Sequence, residues 1–287
     1  MRGTFRQEPG QPHVALRREL LDSGRMYEAP LAPLPGRADA PGAVARAVLD
    51  GHLRPHGVGV VDLDRAMSNA EFRAFGEVLG DAQPERSPDV APMVEDGVVL
   101  DLVTRWAAVD DPARQPFAAN SLSLHSESSG APMAAQPRYI VLMCLAPGGD
   151  GRAAQTVVVS MADVHDALRA PTRQLLTGLR YDRPGAPPVL RHVDGRPVFS
   201  LRDFLDAPMT WTHDAYDGDP SDVRHALAEL YATLYSRRTQ GFCWQPGRLV
   251  VIDNTRHFHG RTAGADPVPG RVRRLKRLRL AARGACR

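Results

Sequence analysis

Short runs of β-branched residues between glycine- and proline-rich turns constrain the fold of this chain most. The runs are GVGVVDL (57–63), RYIVLMCL (138–145), QTVVVS (155–160) and RLVVIDN (248–254). Their length and their content of valine and isoleucine favour buried strands. Because helical segments are inserted between them, we predict a mainly β fold of the α+β class. The arrangement expected is an antiparallel double sheet, a double-stranded β-helix or jelly roll, with helical decoration.

Helix and turn signals interrupt the strands. Apolar residues recur at helical spacing over residues 219–238, which predicts a helix there. Ser68 and Glu71 form a capping box at the start of a second predicted helix. Asp194 and Gly195 supply the two-residue turn of a predicted hairpin.

The composition predicts a folded protein with one main domain. Hydrophobic residues make up 43% of the 287 residues, which is enough for a sizeable core. Residues 1–40 are rich in Pro, Gly and Arg and are expected to form an extended or partly ordered lead-in to a single jelly-roll domain over 41–287. No apolar run of about 18 residues and no signal-like N-terminus occur, so we expect a soluble, cytoplasmic protein without a membrane partner. Three cysteines without zinc-like spacing fit a reducing compartment.

The segment LSLHSES (122–128) alternates in polarity. On a strand, Ser123, His125 and Glu127 lie on one face. An imidazole and a carboxylate two residues apart are typical of metal sites, but a solvated polar face gives the same pattern. The pair alone therefore leaves both interpretations open.

A third metal-ligand candidate follows another predicted strand, in VVIDNTRHFHGRTA (250–263). This segment offers His257 and His259 just after a turn. Two histidines and one carboxylate on one face leave three coordination positions open, the arrangement of non-haem Fe(II) oxygenases.

The arginine-rich end of the chain, GRVRRLKRLRLAARGACR (270–287), alternates as well. On a strand, Arg273, Leu275, Arg277 and Arg279 share a face. An inward arginine can fork onto a carboxylate. The alternatives are an edge strand charged against aggregation and a nucleic-acid patch. Because no aromatic residue interleaves the arginines, we expect no nucleic-acid partner.

Taken together, LSLHSES, NTRHFHGRTA and RRLKR resemble the Fe(II)/2-oxoglutarate-dependent dioxygenases of the taurine dioxygenase and clavaminate synthase-like superfamily, over roughly residues 120–280. The resemblance implies that His125, Glu127 and His259 hold Fe(II), since the context H-G-R-T selects His259 over His257. It also implies that Arg273 and Thr156 bind the co-substrate 2-oxoglutarate, and that dioxygen is consumed.

The resemblance further implies an enzyme that oxidises an amino acid or an amino-acid-derived small molecule in natural-product biosynthesis. The outcome is hydroxylation, desaturation or cyclisation, and the carboxylate Glu127 argues against halogenation. Arg277 is expected to hold the substrate carboxylate. Asp203 and Asp206 are expected to contact a cationic side chain, unless they are solvated loop carboxylates. Two alternatives remain open here, a cupin-like metal dioxygenase that does not use 2-oxoglutarate and a catalytically silent ligand-binding protein.

Overall fold

A computed structural model describes residues 1–85, 88–109, 111, 114–149, 154–205, 207–268 and 270–283. The helices are α1 (Pro12–Asp22), α2 (Pro41–Val48), α3 (Arg54–His56), α4 (Asn69–Leu79), α5 (Met161–Ala167), α6 (Ala170–Gly178) and α7 (Pro220–Ser236). The strands of the first half are β1 (Arg2–Phe5), β2 (Leu34–Gly36), β3 (Val58–Leu63), β4 (Asp81–Ala82), β5 (Val94–Glu95), β6 (Val99–Val103), β7 (Leu122–His125) and β8 (Tyr139–Ala146). Those of the second half are β9 (Thr156–Ser160), β10 (Leu179–Tyr181), β11 (Leu190–Val193), β12 (Arg196–Phe199), β13 (Met209–His213), β14 (Gln240–Phe242), β15 (Arg248–Asp253), β16 (His257–Arg261) and β17 (Arg274–Ala281). The predicted sheet-rich class with several helices is confirmed.

Two sheets form the centre of the molecule. The larger sheet has the strand order β2-β3-β15-β8-β17-β6-β5, with β4 also paired to β17. The smaller sheet has the order β14-β9-β16-β7. Ile140 and Leu142 of the larger sheet share a buried apolar cluster with Val158 and Phe242 of the smaller one. The two sheets therefore face each other across this cluster.

Strand β8 is covered on both faces, which explains its uninterrupted apolar sequence. Ile140, Leu142 and the buried Cys144 point into the space between the sheets. Val141 and Met143 point the other way and pack in a cluster with side chains of α2 and α4. Alternation along one strand thus links the inner layer of the fold to its outer helical layer.

The outer face of the smaller sheet is apolar. Leu124 of β7 and Phe258 of β16 are fully buried in a cluster with Leu227 and Leu230 of α7. Because neighbouring residues of a strand point to opposite faces, the residues next to Leu124 and Phe258 face the space between the sheets. This placement selects which side chains reach the site described below.

Residues 1–40, expected to form an extended or partly ordered lead-in, contain β1, α1 and β2. Strand β1 pairs with β13, and Phe5, Leu20 and Leu21 are buried in the same cluster as α7. The helix is stabilised mainly by this tertiary packing, which local composition does not reveal.

Other local predictions are confirmed. The capping box of Ser68 and Glu71 is present at the start of α4, and α7 covers most of the predicted helix at 219–238. Strands β11 and β12 pair as a hairpin around Asp194-Gly195, both of which have positive φ. No helix within the described ranges is long and apolar enough to cross a membrane.

Candidate active site

Two adjacent strands of the smaller sheet place the histidines of the site. Strand β7 pairs with β16 so that His125 lies directly opposite His259. The two ring centroids are 4.3 Å apart. The neighbours Leu124 and Phe258 are buried in the outer apolar cluster, so both imidazoles face the space between the sheets. Burial of the apolar residues therefore fixes the register that opposes the histidines.

Gly260 permits this close pairing. A Cβ atom at position 260 would lie 2.7 Å from the carbonyl oxygen of Leu122, closer than real Cβ contacts. The register between β7 and β16 also shifts between His259 and Arg261. The glycine of H-G-R-T is thus required by the approach of the two backbones beside His259.

Glu127 completes a group of three possible metal ligands. Its Oε2 atom lies 3.6 Å from Nε2 of His125 and 3.8 Å from Nε2 of His259. The ligand atoms of the three residues all lie within 4.8 Å of one another. The structure therefore brings together the three side chains that the sequence analysis proposed.

Hydrogen bonds orient two of these ligands. Nδ1 of His125 lies 2.8 Å from the carbonyl oxygen of Ser123 and donates to it, which leaves the Nε2 lone pair directed at Glu127. The backbone N–H of Glu127 donates to Oδ1 of Asn254 at 2.7 Å. Nδ2 of Asn254 in turn donates to the carbonyl oxygen of Pro137 at 3.0 Å. Nothing local in the sequence indicates this long-range contact of Asn254.

The protonation states suit metal binding. Burial by itself raises the pKa of Glu127, but the Arg277 guanidinium and the imidazoles of His125 and His259 hold this pKa well below its ordinary value. Burial, with a smaller effect from His125, lowers the pKa of His259 to about 4. A carboxylate and a neutral imidazole are the forms that coordinate cations. One carboxylate and two imidazoles with an adjoining cavity fit Fe(II), because this donor set leaves positions for a co-substrate.

Arg273 faces the same cavity as the three ligands. The cavity has a volume of about 200 Å³, and its walls include His125, His259, Thr156 and Arg273. Nε of Arg273 is buried without a hydrogen-bond partner among the residues that the structure describes. Burial lowers the pKa of Arg273 to about 10. A buried guanidinium with an unused donor fits the distal carboxylate of 2-oxoglutarate.

A glycine turn supports Arg273 from behind. Gly148 has φ +74°, and a Cβ there would lie 2.7 Å from the backbone nitrogen of Arg273. The carbonyl oxygen of Arg273 accepts a hydrogen bond from the N–H of Thr104 at 2.9 Å. The pairing of β17 with β8 is irregular between Arg274 and Leu275. Arg273 is therefore held at the end of β17 by backbone contacts on two sides.

Arg277 and Arg279 enter the cavity from the same face of β17. Nη1 of Arg277 lies 3.5 Å from Oε1 of Glu127, and Nη1 of Arg279 lies 3.7 Å from the same atom. The other ends of both guanidiniums contact Glu85. The alternation of the sequence indicated the shared face, but no signal pointed to Glu85.

Arg202 also lies beside the metal ligands. It forms an isolated backbone bridge with His125 and also lines the cavity. A second cavity of about 570 Å³ is lined by His125, Glu127 and Arg202 together with Ser128 and the neighbouring serines. The ligand group is therefore reached from two sides.

The structure corrects the expectation for Asp203. Its carboxylate is fully buried and pairs with Arg17 at 2.9 Å, and it accepts a hydrogen bond from the Tyr235 hydroxyl at 2.7 Å. Gln7 also donates to it. These contacts tie α1 to α7 and use the carboxylate away from both cavities, so Asp203 does not contact a substrate there. Asp206 lies outside the described residues.

The comparison with protein families decides the assignment. The profile described as taurine catabolism dioxygenase TauD, TfdA family matches residues 30–279. This chain belongs to that family. The prediction of an Fe(II)- and 2-oxoglutarate-dependent dioxygenase is thereby confirmed, and the grouped His125, Glu127 and His259 agree with it. The cupin-like alternative and the catalytically silent alternative are set aside.

Solved structures of oxygenases share the fold. An asparagine oxygenase in complex with Fe(II), 2S,3S-3-hydroxyasparagine and succinate is 20% identical, with TM-score 0.60 and coverage of 86% of this chain and 80% of that one. PvcB from Pseudomonas aeruginosa is 20% identical, with TM-score 0.61 and coverage of 91% and 93%. The non-haem iron oxygenase OrfP, bound to Fe, succinate and (3R,4R)-dihydroxy-L-Arg, is 16% identical, with TM-score 0.61 and coverage of 85% and 81%. A search of curated proteins finds no match.

Proposed function

We propose that this dioxygenase hydroxylates an amino acid or an amino-acid-derived small molecule at a centre held by His125, Glu127 and His259. The convergence of these three side chains, with Arg273 facing the same cavity, carries the proposal. The complexes of an asparagine oxygenase and of OrfP contain hydroxylated amino acids, which supports the substrate class.

Each residue around the site has a separate role in this reaction. When bound, Fe(II) with 2-oxoglutarate and dioxygen supplies an oxidative decarboxylation that is coupled to the oxidation of a C–H bond. Arg273 would hold the distal carboxylate of 2-oxoglutarate, and Thr156, which lines the same cavity from β9, would contact the same co-substrate. Asn254 keeps the backbone of Glu127 in place through the 2.7 Å contact with its amide N–H. The apolar walls formed by Ile140 and Leu142 limit the access of water.

Arg277 is the proposed contact for the substrate carboxylate. Its guanidinium lines the cavity and lies 3.5 Å from Glu127, so a carboxylate held there places its neighbouring carbon atoms beside the metal ligands. The orientation of the arginines toward this small cavity supports a small-molecule substrate rather than a nucleic acid.

The proposal also covers the fold, the biosynthetic role and the outcome of the reaction. The two facing sheets, antiparallel except for the parallel edge pair of β2 and β3, support a jelly roll, and the family match over residues 30–279 supports one oxygenase domain. PvcB is an oxygenase from an isonitrile synthetic pathway, which supports a role in natural-product biosynthesis for this chain. Glu127 occupies a position that a halogenase needs for chloride, so hydroxylation, desaturation or cyclisation is the proposed outcome.

An anaerobic spectral titration with Fe(II) and 2-oxoglutarate, followed by a mass-spectrometric screen of amino acids, tests the proposal. We expect a charge-transfer absorption when both are present, and a product that gains one oxygen atom or loses two hydrogen atoms. Absence of the absorption band, or a chlorinated product from the wild-type enzyme, contradicts it.

The variant Arg277→Ala tests the carboxylate contact. We expect a raised KM for the substrate and an unchanged affinity for 2-oxoglutarate, which Arg273 holds. If Arg277→Ala keeps the wild-type affinity for every amino-acid substrate, Arg277 has no such role.

A further inference from the structure

Arg277 and Arg279 already hold a carboxylate of the chain itself. Oε2 of Glu85 lies 2.9 Å from Nη2 of Arg277, and Oε1 of Glu85 lies 3.2 Å from Nη2 of Arg279. The three side chains are only 11 to 14% exposed. Two guanidinium groups that converge on one carboxylate form a binding site for an acid group.

The opposite ends of the same guanidiniums point to the metal ligands. Nη1 of each arginine lies within 3.7 Å of Oε1 of Glu127. Glu85 and Glu127 are therefore separated by one layer of guanidinium groups. The Glu85 carboxylate therefore occupies a position on Arg277 and Arg279 where a substrate acid group could be held, one guanidinium layer away from Glu127.

The charge of the cavity favours an anion at this point. The charged residues of its wall are Arg202, Arg261, Arg273, Arg277, Arg279, Glu85 and Glu127. Arg261 is held by backbone carbonyl oxygens, which carry no net charge, so its positive charge stays unbalanced. This excess of arginines attracts the acid group of a substrate to this side of the cavity.

The backbone next to Glu85 is anchored to β17, but the Glu85 side chain is not part of the sheet. The N–H of Gln83 donates to the carbonyl oxygen of Arg279 at 2.8 Å, and Nη2 of Arg279 donates to that of Pro84 at 3.1 Å. Glu85 follows these contacts beyond the end of β4. Displacement of its carboxylate from the arginines would therefore leave the backbone pairing of β4 with β17 intact.

We propose that Glu85 is a specificity-determining residue, whose carboxylate occupies the anion position at Arg277 and Arg279 and is displaced by the acid group of the substrate. This inference rests on the proposed function. A substrate without an acid group does not displace Glu85, so the enzyme selects molecules that carry a carboxylate or a comparable anion. No covalent step is involved.

Binding of simple probes to the full-length protein, loaded with Mn(II) and 2-oxoglutarate, tests the proposal without turnover. The probes are acetate, whose only charged group is a carboxylate, and glycinamide, whose only charged group is an ammonium group. Glu85→Gln keeps the size of the side chain but removes its charge, and charge-assisted hydrogen bonds are about twice as strong as neutral ones. We expect Glu85→Gln to bind acetate on the order of tenfold more tightly than the wild type, because the tethered competitor is weakened.

Glu95 provides the matched control, because it contacts residues on the other face of β17. Glu95 pairs with Lys276 at 2.9 Å and with Arg274 at 3.7 Å, outside the cavity. Glu95→Gln removes an equivalent carboxylate and should leave the acetate affinity at the wild-type value. Should Glu85→Gln fail to fold, Glu85→Asp replaces it, since the shorter side chain contacts the two arginines less well and acetate affinity should still rise.

The outcomes separate the proposal from its rivals. Equal, weaker or undetectable acetate binding by the Glu85 variant overturns it, and so does an equal gain in Glu95→Gln. A loss of glycinamide binding in Glu85→Gln with unchanged acetate binding assigns Glu85 to an ammonium group and also overturns it. Failure of the wild type to form succinate with any amino acid refutes the proposed function instead, since the acetate titrations need no reaction.

Discussion

Replacing Arg273 by methionine separates two consequences of burying its guanidinium in the cavity. Burial lowers the pKa of Arg273 from 12.5 to about 10. Each pKa unit corresponds to roughly 1.4 kcal/mol, so the charged form costs on the order of 3 kcal/mol on folding. The charged arginine is disfavoured in the folded state at every pH below about 10. Without 2-oxoglutarate, Arg273→Met should therefore raise the free energy of unfolding by up to about 3 kcal/mol.

The same substitution should weaken the binding of 2-oxoglutarate. A hydrogen bond to a charged group contributes roughly 1.5–3 kcal/mol, and 1.4 kcal/mol is tenfold in affinity. We therefore expect the KM for 2-oxoglutarate to rise by roughly 10- to 100-fold. The variant thus becomes more stable and less able to bind its co-substrate.

Urea unfolding with and without 2-oxoglutarate, together with an anaerobic 2-oxoglutarate titration, measures both effects. Arg274→Met is the matched control, since Arg274 is 43% exposed and pairs with Asp101 at 2.8 Å on the other face of β17. The control should keep the wild-type affinity for 2-oxoglutarate. An unchanged affinity in Arg273→Met, or an equal loss in Arg274→Met, would refute the assignment of the co-substrate to Arg273.

Three further predictions concern the frame of the site. Asn254→Ala should weaken Fe(II) binding by roughly 10- to 100-fold, because Glu127 loses its backbone support, and an unchanged metal titration would contradict this role. Gly260→Ala should lower the free energy of unfolding by about 1–3 kcal/mol and weaken Fe(II) binding, because the new Cβ pushes β7 away from β16. The control Gly10→Ala has open space around it and should change neither quantity. Burial lowers the pKa of His257 from 6.5 to about 4, so the unfolded chain binds more protons between these values. Stability of the metal-free protein should therefore fall as the pH drops from 6.5 to 4, and His257→Gln should flatten this slope in urea unfolding.

The sequence by itself determined the local elements and the faces of individual strands. The β8 run is apolar throughout because both of its faces are covered, and the capping box at Ser68 marks the start of α4. The shared face of Arg277 and Arg279 follows from the two-residue period of a strand. These features depend on neighbours in the sequence, so they can be predicted without long-range contacts.

Only the tertiary structure decided which distant residues meet. The register that opposes His125 and His259 depends on burying Leu124 and Phe258 in a cluster with helices from other parts of the chain. Packing against α7 likewise makes the apolar residues of α1 part of the core. Residues remote in the sequence also bind the carboxylate of Asp203, which therefore stabilises the fold.

Glu85 shows the limit of sequence reasoning most directly. Nothing near it in the sequence distinguishes it from other loop glutamates, and its contacts with Arg277 and Arg279 exist because β4 pairs with β17. Local periodicity predicts which face of a strand a side chain lies on, but it does not predict which distant residue that side chain contacts. That partner is fixed by the free energy of packing the whole fold, which is why the contents of the site emerged only with the complete structure.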